Sequence, residues 1–188
     1  MIFASTEEFL MHHGVKGQKW GVRRSPEELG YRNRHHSKTD RGGDKERTVF
    51  ISGSVKVNSI PESVKNNIRK EMKKGSRFII GDAPGIDTAV QKFLADEKYK
   101  KVDIYTVMKK NARNNADDGK LGWNVKNVDA SRYEEGTPEW QATKDTAMIN
   151  RSDTGIAVVI PNGASKTRNN AKRLIEQNKK VKIYTTKP

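Results

Sequence analysis

From Thr48 onward, short apolar runs alternate along the chain with segments whose apolar residues recur at helical spacing. Five runs have the length of strands and predict strands at residues 49–51, 78–80, 102–107, 155–160 and 181–185. The segments between them predict helices at about residues 61–74, 86–97, 138–150 and 167–178, each with one apolar face. A repeated strand–helix–strand pattern is typical of a parallel sheet with right-handed crossovers.

The apolar pattern within each strand also predicts its place in the sheet. Strands one, two and four are continuous apolar runs, as expected when helices cover both faces. Strand three alternates Val102 and Ile104 with Asp103, and strand five alternates in the same way around Lys182, which favours edge positions. We therefore expect a Rossmann-like three-layer α/β sandwich with a five-stranded parallel sheet in the order 3-2-1-4-5. Its switch point lies between strands one and four.

Residues 1–47 differ in composition from residues 48–188 and predict a flexible, basic segment ahead of the α/β domain. They contain no convincing strand, and residues 31–47 have almost no apolar side chain. All four histidines lie here, in adjacent pairs that point in different directions, so we predict no metal site. No run of eighteen apolar residues occurs, and we expect no membrane span.

Composition narrows the chemistry that the chain can carry. The formal net charge of +14 favours anionic partners, namely nucleic acid, nucleotides or an acidic protein surface. The lysines are spread over helices and strand ends, which weakens the interpretation as a dedicated nucleic-acid binder. The absence of cysteine excludes disulfides, zinc–thiolate sites and cysteine nucleophiles.

Three glycine-bearing loops follow neighbouring strands and define the predicted site, since ligands of such sheets bind beyond the carboxyl ends of the strands. They are residues 52–54, 81–87 and 161–167, and the last two run directly into helices. Glycine lets a backbone approach a ligand closely, and a helix amino terminus favours an anion. The residues expected to bind the ligand or its phosphate are Gly53, Ser54, Gly81, Asp82, Gly85, Asp87, Arg113, Gly163, Ser165, Lys166 and Thr167. The alternative is that these loops are ordinary turns with helix caps.

Several single residues have two interpretations each. Asp87 either stabilises its own helix or binds ribose hydroxyls. Asp145 lies at helical spacing from Met148 and faces either the upper rim of the sheet or solvent. Residues 108–137 form a long connection in which Trp123 either stacks on a base as part of a lid or covers a satellite hydrophobic cluster.

The segments FISGS (50–54), GDAPGIDTAV (81–90) and NGASKT (162–167) resemble the SLOG superfamily. This Rossmann-like group includes the DNA-processing protein A fold and the Lonely Guy phosphoribohydrolases. The resemblance covers about 140 residues and implies binding of nucleotides, nucleotide sugars or nucleotide-derived signals, with hydrolysis of an N-glycosidic bond in some members. The phosphoribohydrolases carry a catalytic glutamate after strand four, whereas Asn169 or Asn170 stands at that place here. An amide cannot act as a general base or nucleophile. Catalysis therefore stays open, with Asp87 and Asp145 as candidate acids.

The stretch from His12 to Arg24, HHGVKGQKWGVRR, is similar to a segment of structural and head-associated proteins from phages and prophages of Gram-positive bacteria. It differs from that segment by Gln18 in place of methionine. Four basic residues surround Trp20, and glycines disfavour a stable isolated helix. This composition suits a docking tag that becomes ordered on a virion protein.

Together these features predict a phage- or prophage-encoded protein, in the host cytoplasm or the virion, that binds a nucleotide or nucleotide-derived ligand and sequesters or processes a signalling nucleotide. The alternatives are an N-glycosidic nucleotide hydrolase and a virion-associated structural or DNA-binding protein. Expected partners are the small ligand, a virion protein bound through residues 12–24, nucleic acid and a second copy of the chain. No cofactor or metal is predicted.

Overall fold

A computed structural model describes residues 46–161 and 165–187 of the chain. The predicted amino-terminal segment, including the residues from His12 to Arg24 and the four histidines, lies outside the described residues, as does Gly163.

Six strands and four helices follow one another in the described part of the chain. They are β1 (Thr48–Gly53), α1 (Glu62–Lys73), β2 (Arg77–Gly81), α2 (Ile86–Asp96), β3 (Val102–Thr106), β4 (Asn124–Asn127), α3 (Pro138–Arg151), β5 (Thr154–Val159), α4 (Ser165–Glu176) and β6 (Lys180–Thr185). The apolar patterns therefore predicted every helix, and every strand except β4.

All six strands are parallel, and their order is β4-β3-β2-β1-β5-β6. The order predicted for five strands is confirmed within this sheet, and β6 lies at an edge as expected. The prediction of only five strands is wrong, because β4 pairs with β3 and places Val125 opposite Ile104. All four residues of β4 are exposed and only Val125 is apolar, so no apolar run marks the strand.

The prediction that β3 lies at an edge is also wrong, and Asp103 explains the error. This aspartate breaks the apolar run of β3 but is nearly buried. Its Oδ1 atom accepts hydrogen bonds from Arg77 Nη1 and Asn124 Nδ2, each at 3.1 Å. A charged residue can occupy an interior strand when its charge is paired in this way.

Helices cover both faces of the sheet. Alternate residues of β1 point to opposite faces, so Val49 and Ile51 pack in the cluster that contains the apolar faces of α1 and α2. Phe50 packs on the other side against α3 and α4. The result is the predicted three-layer sandwich, Rossmann-like in its general architecture.

The long connection after β3 is tied to the core by Trp123. This side chain packs in the same cluster as α1 and α2, and its Nε1 donates to the Tyr99 carbonyl at 2.7 Å. The buried carboxylate of Asp117 accepts hydrogen bonds from the backbone N–H groups of Leu121 and Trp123 and shapes the turn between them. Trp123 is thus a residue of the main core, which matches neither the interpretation as part of a lid nor the interpretation as the cover of a satellite cluster.

Among the described residues, no helix has the length and apolar character that crossing a membrane requires.

Candidate functional site

A cleft of about 560 Å³ lies beyond the carboxyl ends of β1 and β5. These two strands are neighbours in the interior of the sheet, and their following helices lie on opposite faces. The cleft therefore occupies the switch point, where such folds bind their ligands. Its apolar lining includes Phe50, Met148 and Ile160. The other lining residues come from the loops after β1, β2 and β5, from the connection after β3 and from helices α2, α3 and α4.

Two glycines allow the loop after β1 to pack directly on the start of α2. A Cβ atom on Gly53 would lie 2.5 Å from Ile86 Cβ, and one on Gly85 would lie 2.5 Å from the Ser54 carbonyl oxygen. Gly85 also has a φ of 82°, which L side chains rarely adopt. The Ile86 N–H donates to the Ser54 carbonyl at 3.2 Å. These glycines bring two loops together at the cleft wall, and Gly85 itself does not line the cleft.

An ion cluster centred on the buried Asp82 borders the cleft. The Asp82 side chain is fully buried. Its carboxylate oxygens accept hydrogen bonds from Lys144 Nζ at 2.7 Å, Arg113 Nη2 at 2.9 Å and Thr106 Oγ1 at 2.7 Å. Burial alone would raise the pKa of Asp82. The hydrogen bonds from Arg113 and the charge of Lys144 outweigh burial and hold this pKa well below its usual range.

Asp82 also fixes the start of the connection after β3. Its carboxylate accepts a hydrogen bond from the backbone N–H of Arg113 at 3.1 Å, and its backbone carbonyl accepts one from Asn114 Nδ2 at 2.8 Å. These bonds hold Arg113 so that its side chain lines the cleft, where Nη2 also donates to Gln141 Oε1 at 3.1 Å. With both carboxylate oxygens engaged and no exposure, Asp82 acts here as a positioning residue.

Asp87, the acid in the first turn of α2, lies half-buried in the cleft. Its Oδ2 accepts from the Ala83 N–H at 3.3 Å. Burial raises the pKa of Asp87 to about 7. The charge of Lys144 and the Ala83 hydrogen bond partly offset this, whereas the charges of Asp145 and Asp82 add to it. A carboxyl group that titrates near neutral pH can both accept and donate a proton under physiological conditions.

Gly81 leaves room for this pair of side chains. A Cβ atom at residue 81 would collide with Asp87 Oδ2 and would lie 3.1 Å from Lys144 Nζ. Gly81 is buried and does not line the cleft, so its role is to let the carboxylate and the ammonium group pack against the end of β2.

A second carboxylate, Asp145 of α3, lines the same cleft. Its Oδ2 accepts from Asn170 Nδ2 of α4 at 3.1 Å. Asn170 is buried and lines the cleft, whereas Asn169 is exposed and does not. Of the two amides at the place of the phosphoribohydrolase glutamate, Asn170 is therefore the one that faces the cleft.

The structure separates the predicted ligand residues into three groups. The residues that line the cleft are Gly53, Ser54, Asp87, Arg113, Lys166 and Thr167, together with the candidate acid Asp145. Gly81, Asp82 and Gly85 are buried around the cleft and do not line it. For Ser165, only the backbone at the start of α4 is described, and Gly163 lies outside the described residues. Contact between any of them and a ligand stays a prediction.

Sequence reasoning missed Lys144, which is 3 % exposed and lines the cleft. A signal for it exists, because Lys144 lies four residues from both Trp140 and Met148, which are buried on the same face of α3. A lysine on such a stripe is almost never buried without a partner. The buried Asp82 is that partner.

The rim of the cleft carries exposed cations. Lys56 and Lys166 line it, and neither forms an ion pair with a residue that the structure describes. Lys166 and the nearly buried Thr167 lie in the first turn of α4. Within residues 46–161 and 165–187, no three histidine or carboxylate side chains are grouped as a metal ion would require.

Residues 4–27 match a protein family described as a family of unknown function, DUF7211. This match includes the stretch from His12 to Arg24 and none of the cleft residues. No curated protein matches the chain significantly.

Proposed function

We propose that the α/β domain binds a phosphate-bearing nucleotide or nucleotide-derived ligand in the cleft beyond β1 and β5. The observation that carries this proposal is the position of the cleft at the switch point, with the first turn of α4 and Lys166 at its rim. A helix amino terminus presents backbone N–H groups and a partial positive charge to an anion. The apolar part of the cleft lining suits the face of a base or another flat group.

Isothermal titration calorimetry of the full chain tests this proposal against a panel of nucleoside monophosphates, cyclic nucleotides and NAD derivatives. We expect saturable binding of at least one compound that weakens with added salt. Lys166→Ala should weaken it by about tenfold, since a lost hydrogen bond to a charged group has that order of effect. Lys172→Ala is the matched control, because Lys172 is exposed on the same helix and lies outside the cleft. Absence of binding across the panel at millimolar concentration would refute the proposal.

A second candidate function is hydrolysis of an N-glycosidic bond, which the two carboxylates in one cleft favour. Glycosidic hydrolysis commonly uses one carboxyl group to protonate the leaving group and another to activate water or stabilise positive charge. Asp87, with its pKa raised to about 7 by burial, has the protonation behaviour that the first role requires. Asp145 is the available second carboxylate.

Chromatography for free base after incubation with nucleoside monophosphates or NAD tests this second candidate. Release of base that is lost in Asp87→Asn would support it. Unchanged substrates in the presence of demonstrated binding would leave a binding protein and exclude hydrolysis of those compounds.

A further inference from the structure

Charge is unevenly distributed between the rim and the interior of the cleft. The cations Lys56 and Lys166 are exposed at its rim, whereas the carboxylates Asp87 and Asp145 are half-buried within it. We infer that the ligand enters with its sugar first, that Asp87 and Asp145 accept hydrogen bonds from the sugar hydroxyls, and that the phosphate stays at the rim beside Lys166. This inference rests on the proposed function and names the substrate class as phosphorylated ribose compounds.

The interior of the cleft does not suit a phosphate. The two cations there, Arg113 and Lys144, are already paired with Asp82 at 2.9 and 2.7 Å. With Asp87 and Asp145 included, three carboxyl groups face two cations in this cluster. A phosphate group among them would meet two further carboxylates without an uncommitted cation to offset them.

The same carboxylates suit hydroxyl groups. The Oδ2 atom of Asp87 accepts a hydrogen bond from the Ala83 N–H, and the Oδ2 atom of Asp145 accepts one from Asn170 Nδ2. The Oδ1 atom of each accepts no hydrogen bond from the residues that the structure describes. A carboxylate oxygen needs a donor, and a sugar hydroxyl provides one, whereas an ionised phosphate does not. Hydrogen bonds of a hydroxyl to a carboxylate belong to the strong, charge-assisted class.

NMR titration of the full chain at about pH 8, where Asp87 with its pKa of about 7 is mostly ionised, tests this orientation with ribose 5-phosphate, 2-deoxyribose 5-phosphate and inorganic phosphate. The two sugar phosphates differ by one hydroxyl group and carry no base, so base recognition cannot account for a difference. We expect ribose 5-phosphate to bind about tenfold more tightly than the deoxy sugar, the order expected for one hydrogen bond to a charged acceptor. Inorganic phosphate should bind more weakly than either.

Two variants and one control assign the effect to the carboxylates. The preference for ribose should fall below about threefold in Asp87→Asn or in Asp145→Asn, because the amide lacks the charge that strengthens the bond. Asp96→Asn makes the same change at an exposed site at the end of α2, outside the cleft, and should keep the full preference. Retained dispersion of the amide signals establishes that each variant is folded.

The possible results separate the orientation of the ligand, the roles of Asp87 and Asp145, and the substrate class. Equal affinity for both sugar phosphates, with binding still weakened by salt and by Lys166→Ala, would overturn the orientation and leave the proposed function standing. A ribose preference that both aspartate variants retain would overturn the assignment to Asp87 and Asp145. No saturable shift with any of the three compounds would overturn the assignment to phosphorylated ribose compounds, whereas the proposed function is refuted only if the nucleotide panel also fails to bind.

Discussion

Asp87 should make the domain less stable as the pH rises from 5 to 8, and the substitution Asp87→Asn isolates that effect. Burial raises the pKa of this carboxyl group from 3.8 to about 7 in the folded protein. Between these two values the folded state holds a proton that the unfolded state has released. Stability therefore falls with rising pH through this window and levels off above about pH 7. Asparagine does not titrate, so the variant lacks this contribution.

The size of the effect follows from the shift in pKa. One pKa unit corresponds to about 1.4 kcal/mol, so the part of the shift that falls between pH 5 and pH 8 amounts to about 2 to 3 kcal/mol. Asp87 is half-buried and water in the cleft screens its charge, which reduces this figure. We expect a change of at least about 1 kcal/mol in the stability of Asp87→Asn relative to the natural protein, in favour of the variant at the higher pH.

Urea unfolding of both proteins at pH 5 and pH 8 provides the measurement. Groups distant from residue 87 titrate alike in the two proteins, so the change in their stability difference reports the ionisation of Asp87 together with its coupling to the neighbouring charges of Lys144, Asp145 and Asp82. A difference that stays constant within about 0.3 kcal/mol would show that Asp87 titrates at an ordinary pKa and would remove the argument for its role in proton transfer.

Three further substitutions test the structural roles assigned around the cleft. Lys144→Met should lower the free energy of unfolding by about 3 to 5 kcal/mol, because it leaves the buried Asp82 with one cation fewer. The control Lys172→Met, on the surface, should change it by no more than about 0.5 kcal/mol. Equal effects of the two substitutions in urea unfolding would contradict the ion cluster. Gly81→Ala should destabilise the folded protein by about 1 to 3 kcal/mol in thermal unfolding, since the new methyl group would displace Asp87 and Lys144. Unchanged stability would show that these two side chains are not packed on Gly81. Trp123→Phe should lower the free energy of unfolding by about 1 to 2 kcal/mol, because the hydrogen bond to the Tyr99 carbonyl is lost, and it should leave ligand affinity unchanged. A selective loss of ligand affinity in calorimetry would instead support the interpretation of Trp123 as part of a lid.

The sequence predicted the central part of the fold because burial on both faces leaves a direct trace in the apolar pattern. The runs that became β1, β2 and β5 are continuous, and they do lie inside the sheet. β4 left no such trace, since Asn124, Lys126 and Asn127 are exposed and the strand is held by backbone pairing to β3. Asp103 misled the prediction for β3, because pattern alone cannot show that Arg77 lies near enough to pair with it.

For the candidate site, loop position was predictable and side-chain partnership was not. The glycine-bearing loops after β1 and β2 do meet, as expected for neighbouring parallel strands. Whether an acid in such a loop points into the cleft or beneath it depends on contacts distant in sequence. Asp82 is held by Lys144, 62 residues away, and is fully buried, whereas Asp87, in the first turn of α2, lines the cleft.

A crystal structure of the full chain grown with saturating ribose 5-phosphate would show where the sugar phosphate binds and how it is oriented. We expect density for one sugar phosphate in the cleft, with its phosphorus beside Lys166 and the first turn of α4 and its hydroxyl groups directed to Asp87 and Asp145. A ligand bound elsewhere on the protein, or a cleft that contains only water at a concentration where binding is saturated, would contradict this expectation.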